Sequence, residues 1–277
     1  MPTNEERFIR RQLALIREAN KLDDVTIKKI IRHLRTARVE LAARLSSVQL
    51  DNTNLAAIKQ MIDQEIRIFD NAARAAIAAD SEKAFFAGSE ITDSALSLTD
   101  EGKRILQALP AIDDSVLIGM TNFSGDLITG VSNDLRKNIN TQIFLGVQGE
   151  LPLNEVINNI GTSIKKGVFR SAKARAEFVT RTEINRVLSV SQDLRAKEIA
   201  IVAPKTEKFW LTAGDGRVRK THVEVGAQTN PASGGTPIGI NKDFIVGGFP
   251  AKGPYDPRLP AKEVVNCRCR RVLVMRN

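Results

Sequence analysis

The chain has 277 residues, of which 42% are hydrophobic, 26% charged and 5% aromatic, and only two are cysteines. This composition excludes a disordered chain, a fibrous repeat and a small domain held together by disulfides. The sequence opens without an apolar signal segment, and no uninterrupted apolar run is long enough to span a membrane. We therefore expect a soluble protein that is made in a reducing cytoplasm and has no membrane partner.

Charge, proline and glycine are unevenly distributed along the chain. The formal net charge is +9, and residues 201–277 hold 13 basic and 6 acidic side chains. The same segment contains seven of the ten prolines and nine of the 18 glycines, which stop helices and form turns. The predicted fold class is α+β, with a mainly helical N-terminal half followed by a small loop-rich α+β C-terminal domain. The predicted domains are residues 1–150 and 151–277, the second with a long helix at about 170–200 and a small α+β part at 205–277.

Apolar residues at helical spacing predict the helices of the first part. Asp24, the Asp51–Asn54 run and Pro152 are suitable helix starts, and a polar break is expected from Gly88 to Thr99. The apolar stripes cover, in chain order, residues 27–45, 55–77, 127–139, 153–164 and 178–194. Such stripes indicate a core or a surface that docks on a partner.

The C-terminal part begins with a predicted short strand at residues 208–212. The spacing of Val218, Thr221, His222 and Val225 then favours a short helix from about Asp215 to Gly226, with a hairpin strand as the alternative.

Residues 227–262 predict a loop-dominated segment, because they are rich in proline, glycine and asparagine. Residues 264–274 are rich in valine and predict a terminal strand. On such a strand Cys267, Cys269 and Arg271 share one face, and Arg268 and Arg270 share the other.

Three interpretations are open for His222, Cys267 and Cys269. Two thiolates and an imidazole are three of the four ligands that zinc prefers, with Asp215 or water as the fourth, so zinc is the candidate cofactor. Alternatively a cysteine and the histidine form a nucleophilic pair. In the third interpretation the thiols are small buried apolar groups and the histidine forms local hydrogen bonds. A disulfide between the two cysteines would be strained.

Basic side chains near the end of the chain predict a patch if the short helix and the terminal strand lie together. Such a patch could bind DNA phosphates. We expect that binding to be independent of the DNA sequence, because aromatic residues for base stacking are scarce in this part of the chain. Solvated surface charge is the alternative. The candidate DNA- or partner-binding residues are Arg217, Arg219, Lys220, Arg268, Arg270 and Arg271.

Five short segments in a fixed order carry a family resemblance. They are Arg181–Arg186, Lys208–Trp210, Arg217–His222 with Gly226 after it, Pro254–Pro257, and Asn266–Arg270. Over about residues 150–277 this succession resembles the phage Mu protein F-like head morphogenesis family, the minor head proteins of tailed bacteriophages. The family's histidine and paired cysteines fall on His222, Cys267 and Cys269, without a settled role.

The resemblance implies a minor virion protein that associates with the portal protein and the procapsid interior and assists head assembly, DNA packaging or ejection. Double-stranded DNA is the further expected partner. The expected location is the capsid interior or portal vertex, and the host cytoplasm during assembly. No established catalytic activity comes with the family, although some relatives carry a toxin domain after this region. The alternative is a zinc-dependent or Cys/His enzyme that acts on nucleic acid or protein and is delivered with the virion.

Overall fold

The computed structural model describes residues 3–111, 113 and 115–275. The fold is α+β, as predicted: long helices precede a C-terminal region of short strands. The helices are α1 (Asn4–Ala19), α2 (Leu22–Ser46), α3 (Leu55–Leu96), α4 (Asp100–Ala108), α5 (Ser115–Val147), α6 (Leu153–Ile160), α7 (Gly167–Val202), α8 (Lys220–Thr229) and α9 (Ala261–Val264). The strands are β1 (Glu207–Leu211), β2 (Ile238–Gly239), β3 (Phe244–Val246), β4 (Phe249–Ala251) and β5 (Arg270–Val274).

The helix starts follow from local polar chemistry. At the start of α1, the Thr3 hydroxyl accepts the Glu6 N–H at 3.1 Å and the Glu6 carboxylate accepts the Thr3 N–H at 3.0 Å, a reciprocal cap that satisfies two backbone donors. Pro152 precedes α6 as its N-cap, and Gly161 ends that helix with φ 126°. The predicted helix at 170–200 is confirmed as α7.

The polar break predicted from Gly88 to Thr99 is wrong at its start, because α3 continues to Leu96. A Cβ at Gly88 would lie 2.5 Å from the Leu188 carbonyl oxygen and 2.8 Å from Ser191 Cβ of α7. Gly88 therefore permits close packing of two helices and does not interrupt one. Ser89 is buried beside it and donates its hydroxyl to the Phe86 carbonyl.

The chain forms two compact units that alternate along the sequence. The sheet unit comprises Met1–Asp23, Ser81–Ile118 and Thr182–Asn277, and the helical unit comprises Asp24–Asp80 and Gly119–Arg181. Neither unit coincides with residues 1–150 or 151–277. The difference arises because α3, α5 and α7 are long enough for each to contribute residues to both units.

The sheet unit contains a three-stranded antiparallel sheet in the order β2-β1-β5 and a β3-β4 hairpin. In β1 and β5, Lys208 lies opposite Leu273 and Trp210 opposite Arg271. Helix α8 packs on β1, where Gly226 lies inside the helix with its Cβ position 3.0 Å from Thr212 Cγ2. The predicted strand at 208–212 and the predicted helix are thus confirmed, although α8 begins after Arg219 and ends after Gly226.

The predicted strand at 264–274 is wrong in its first half. Helix α9 ends at Val264, Asn266 has φ 57°, and β5 begins only at Arg270. The left-handed turn is anchored by the Thr182 hydroxyl, which accepts the Asn266 N–H at 3.2 Å. All five residues of β5 are buried, so its alternation does not separate a core face from a solvent face.

Within the described ranges, no helix combines the length and the apolar character needed to cross a bilayer.

Candidate functional site

The sheet unit brings together the three residues of the predicted Cys/His cluster. His222 projects inward from the first turn of α8, and Cys267 and Cys269 belong to the segment between α9 and β5. Nδ1 of His222 lies 3.3 Å from Sγ of Cys269 and 3.6 Å from Sγ of Cys267. The ligand atoms of all three residues lie within 4.8 Å of one another, and both thiols are free and buried.

Backbone geometry places both sulfurs beside the imidazole. The Cys267 N–H donates to the Val264 carbonyl at 3.0 Å, and the Cys269 N–H approaches the Cys267 sulfur at 3.4 Å. The Tyr255 hydroxyl donates to the Cys267 carbonyl. On a regular strand the two sulfurs would only share a face, whereas this turn gathers them around one point.

A buried carboxylate lies on the other side of the imidazole. Oε2 of Glu263 is 3.2 Å from Nε2 of His222, within ion-pair distance but outside hydrogen-bond alignment. The Thr221 hydroxyl donates to the same oxygen at 2.8 Å. Trp210 packs edge-on against the imidazole, with ring centres 5.2 Å apart. Sequence reasoning missed Glu263; its position four residues before Cys267 is the signal that could have found it.

Asp215, predicted as a fourth metal ligand, does not belong to the cluster. Arg268 binds both of its carboxylate oxygens at 2.8 Å, and Arg217 is 3.1 Å from one of them. The hydrogen bonds from Arg268 and then Arg217 hold the pKa of Asp215 well below its ordinary value. The carboxylate is thus committed to the arginines at the rim of the site.

The two thiols differ in acidity because they share a hydrogen bond. A hydrogen bond from Cys269 lowers the pKa of Cys267 well below its ordinary value. Burial acts in the opposite direction, and the neighbouring His222 lowers this pKa further. The same Cys267 sulfur and burial raise the pKa of Cys269. The arrangement thus favours a thiolate on Cys267.

A shallow cavity of about 10 Å³ opens above the cluster. This volume admits one water-sized group. The remaining lining residues are Ala213, Arg217, Val218, Arg219, Asn266 and Arg268. Chemically, the site offers three donor atoms and room for one small further ligand.

The predicted basic patch is only partly a surface. Arg217 and Lys220 are exposed, and Arg219 and Arg268 are half-buried. Arg219 donates to the Val265 carbonyl at the rim of the cavity. Arg217, Arg219 and Arg268 line the cavity above the Cys/His cluster, and Lys220 follows Arg219 in the sequence.

The prediction is wrong for Arg270 and Arg271, which are only 1% and 5% exposed. Arg270 donates to the Asn185 side-chain oxygen and to the Cys269 carbonyl. Arg271 forms an ion pair with Asp193 at 2.8 Å. These two arginines are internal connections between β5 and α7, because β5 is covered on both faces.

The five segments that carry the family resemblance also contact one another in the sheet unit. In addition to the contacts within the cluster, the Asn266 N–H donates a hydrogen bond to the Thr182 hydroxyl, and Arg270 donates one to the Asn185 side-chain oxygen. Residues that are more than 80 positions apart thus form one network.

No protein-family model matches the sequence, and no solved structure matches it. A protein of Enterococcus faecalis (strain ATCC 700802 / V583), named NAD(+)--arginine ADP-ribosyltransferase EFV, is 23% identical to this chain over 182 residues. The alignment covers 64% of this chain and 34% of that protein. The chain thus spans about a third of the relative's length, whereas the name describes the whole relative.

Proposed function

We propose that this chain is a minor head protein of a tailed bacteriophage. In this function it associates with the portal protein and the procapsid interior and assists head assembly, DNA packaging or ejection. It is located in the host cytoplasm during assembly and then in the virion, at the capsid interior or portal vertex.

The observation that carries the proposal is that the five segments of the family resemblance contact one another in the sheet unit. Thr182, Asn185, Tyr255 and Arg270 use their side chains to join segments that are distant in the sequence. A chance succession of short motifs has no reason to form one hydrogen-bonded core. The resemblance to the phage Mu protein F-like family thus has a physical counterpart in this chain.

The similarity to the E. faecalis protein agrees with the same proposal. The family resemblance implies that some members carry a toxin domain after the head domain. On this proposal, the 34% of the E. faecalis protein that aligns with this chain is a head domain, and the activity in that protein's name lies in the remainder.

The helical unit offers apolar surface for a partner. Phe123 and Phe144 of α5 are each 49% exposed, and Ile68, Val39 and Phe178 of other helices are also exposed. Exposed phenylalanines are typical anchors of protein interfaces. We assign these side chains to contact with the portal or the procapsid wall.

DNA contact belongs to the exposed part of the basic surface. Arg217 and Lys220, with the half-buried Arg219 and Arg268, provide positive charge, whereas Trp210, which packs against the neighbouring His222, is fully buried and cannot stack on bases. Contacts of this kind bind phosphates irrespective of sequence.

The decisive experiment follows the full-length chain into particles. Procapsids and filled heads are purified from cells that express the complete head gene cluster, and the chain is quantified in each by mass spectrometry. We expect a few copies per particle and co-purification with the portal protein. Absence from both kinds of particle would refute the proposal.

A substitution pair tests the docking surface. Phe144→Glu replaces a side chain that is 49% exposed, and we expect it to abolish incorporation while the protein still folds. Lys137→Glu, an exposed position on the same helix, is the matched control. Equal incorporation of both variants would remove α5 from the interface.

The Cys/His enzyme alternative has weaker support in the geometry. The two cysteines, His222 and Glu263 have the order of a nucleophile, a base and an orienting acid. However, both sulfurs are buried, and the cavity of about 10 Å³ admits a water-sized group but not a peptide or nucleotide.

A further inference from the structure

We propose that His222, Cys267 and Cys269 bind one Zn²⁺ ion, whose fourth position is taken by a water molecule in the cavity above them. The assignment concerns the sheet unit alone and is independent of the virion function.

The distances agree with tetrahedral zinc. With Zn–N near 2.0 Å and Zn–S near 2.3 Å, a tetrahedral ion separates a nitrogen and a sulfur ligand by about 3.5 Å. The observed Nδ1–Sγ separations are 3.3 Å for Cys269 and 3.6 Å for Cys267. Both nitrogen–sulfur separations therefore match those around one ion, and all three donor atoms lie within 4.8 Å of one another.

Glu263 provides the support that a metal-bound histidine requires. A histidine that ligates through Nδ1 carries its proton on Nε2 and directs it to a carboxylate or carbonyl. Here the buried Glu263 lies 3.2 Å from Nε2, within ion-pair distance although outside hydrogen-bond alignment, and it is held in turn by the Thr221 hydroxyl.

The fourth ligand must be small. Asp215 is held by arginines, and Glu263 faces the other ring nitrogen of His222. The described residues group no further histidine, cysteine or carboxylate ligand atom with the three. The cavity of about 10 Å³ has room for one water. Three protein ligands with a water in the fourth position are the arrangement of catalytic zinc sites, whereas purely structural sites use four protein ligands.

A neutral Cys–His pair explains less of the geometry. One imidazole nitrogen faces two sulfurs at nearly equal distance, although a single hydrogen bond needs only one of them. A metal ion uses both. It also joins α8 to the segment before β5, where the chain lacks regular structure.

The first experiment measures metal in the full-length protein, purified without chelators. We expect one zinc per chain. After removal of zinc, titration with Co²⁺ should give thiolate-to-cobalt charge-transfer absorption and the intense visible bands of tetrahedral cobalt. Both signals should be lost in Cys267→Ser and Cys269→Ser but retained in His33→Gln, which replaces the other histidine of the chain.

A second variant keeps the test decisive if the cysteine variants do not fold. Glu263→Gln preserves size and leaves all three ligands in place, so we expect folding with zinc affinity lowered 10- to 100-fold. Chelation of the wild-type protein should lower its Tm, and chelation of the weakened variant should need less chelator.

The open position has its own readout. Thiocyanate added to the cobalt protein should shift the visible bands, since an exchangeable water can be replaced by a small anion. Unchanged bands would contradict the open position. The whole proposal fails if the chain binds neither zinc nor cobalt stoichiometrically and its Tm is indifferent to chelators.

Discussion

Nε2 of His222 and Oε2 of Glu263 lie 3.2 Å apart in the interior of the sheet unit, on the side of the imidazole that faces away from both cysteine sulfurs. Of the two ring nitrogens, Nε2 faces the carboxylate and Nδ1 faces both sulfurs. Glu263 of α9 thus lies where it can orient the imidazole of His222 of α8 relative to the two sulfurs.

The hydroxyl of Thr221 should be required to hold Glu263 in place. Thr221→Val removes the donor to Oε2, and we expect the free energy of unfolding to fall by about 1.5–3 kcal/mol, the range for hydrogen bonds to charged groups. Thr221→Ser retains the hydroxyl and should stay close to the wild type. Urea denaturation measures both, and equal stability of the two variants would show that the bond contributes nothing.

Lys208 should make stability depend on pH. Burial, then the charges of Arg271 and Lys252, lower its pKa to about 7, against 10.5 for an ordinary lysine. Between these values the unfolded chain binds one more proton than the folded chain, so stability rises with pH. Relative to Lys208→Met, we expect the wild type to gain at most about 1.4 kcal/mol per pH unit from pH 7 to 10.

The control for Lys208 is Lys205→Met, because Lys205 is exposed. Its unfolding free energy should follow the wild-type pH profile. Parallel profiles for the wild type and Lys208→Met would contradict the low pKa of Lys208.

The two glycines Gly88 and Gly119 should respond oppositely to alanine. Alanine is the better helix former, but at Gly88 its methyl group would overlap the Leu188 carbonyl, so we expect a loss of about 1–3 kcal/mol. Gly119 has open space around its Cβ position, and Gly119→Ala should stabilise by about 0.5–1 kcal/mol. Thermal and urea unfolding measure both changes, and a neutral Gly88→Ala would mean that α3 and α7 separate at little cost.

Asn185 should be essential for the buried charge of Arg270. Its side-chain oxygen accepts from Arg270, and its amide donates to Asp23 at 3.1 Å. Asn185→Ala removes a neutral acceptor from a buried cation, and we expect the free energy of unfolding to fall by about 1.5–3 kcal/mol, the range for hydrogen bonds to charged groups. Asn133→Ala removes an exposed contact with Arg136 and should change stability by less than about 0.5 kcal/mol. Similar unfolding midpoints for the two variants would refute the assignment.

DNA affinity should depend on salt through Arg217 and Lys220. If each contacts one phosphate, replacing both with alanine lowers the slope of log K against log [salt] by about 1.8. Lys137→Ala, in the helical unit, should leave the slope unchanged. Fluorescence anisotropy with two unrelated duplexes gives the slope and checks that affinity does not depend on sequence; binding unaffected by salt would reject phosphate contacts.

The sequence alone determined the α+β class, the long helix α7, the short helix α8 and the residue types of the cluster. These features depend on composition, on helical periodicity and on turn residues, which are local properties of the chain. His222, Cys267 and Cys269 could be selected because their chemistry is visible in their identity.

Only the tertiary structure decided which of these residues meet. Asn266 adopts a left-handed backbone because α9 must turn into β5, and this turn gathers two sulfurs that a strand would have kept in line. Gly88 continues a helix because α7 approaches it, and Arg270 is internal because α7 supplies Asn185. These outcomes rest on contacts between distant segments, and local sequence patterns carry no information about which distant segment will pack against them.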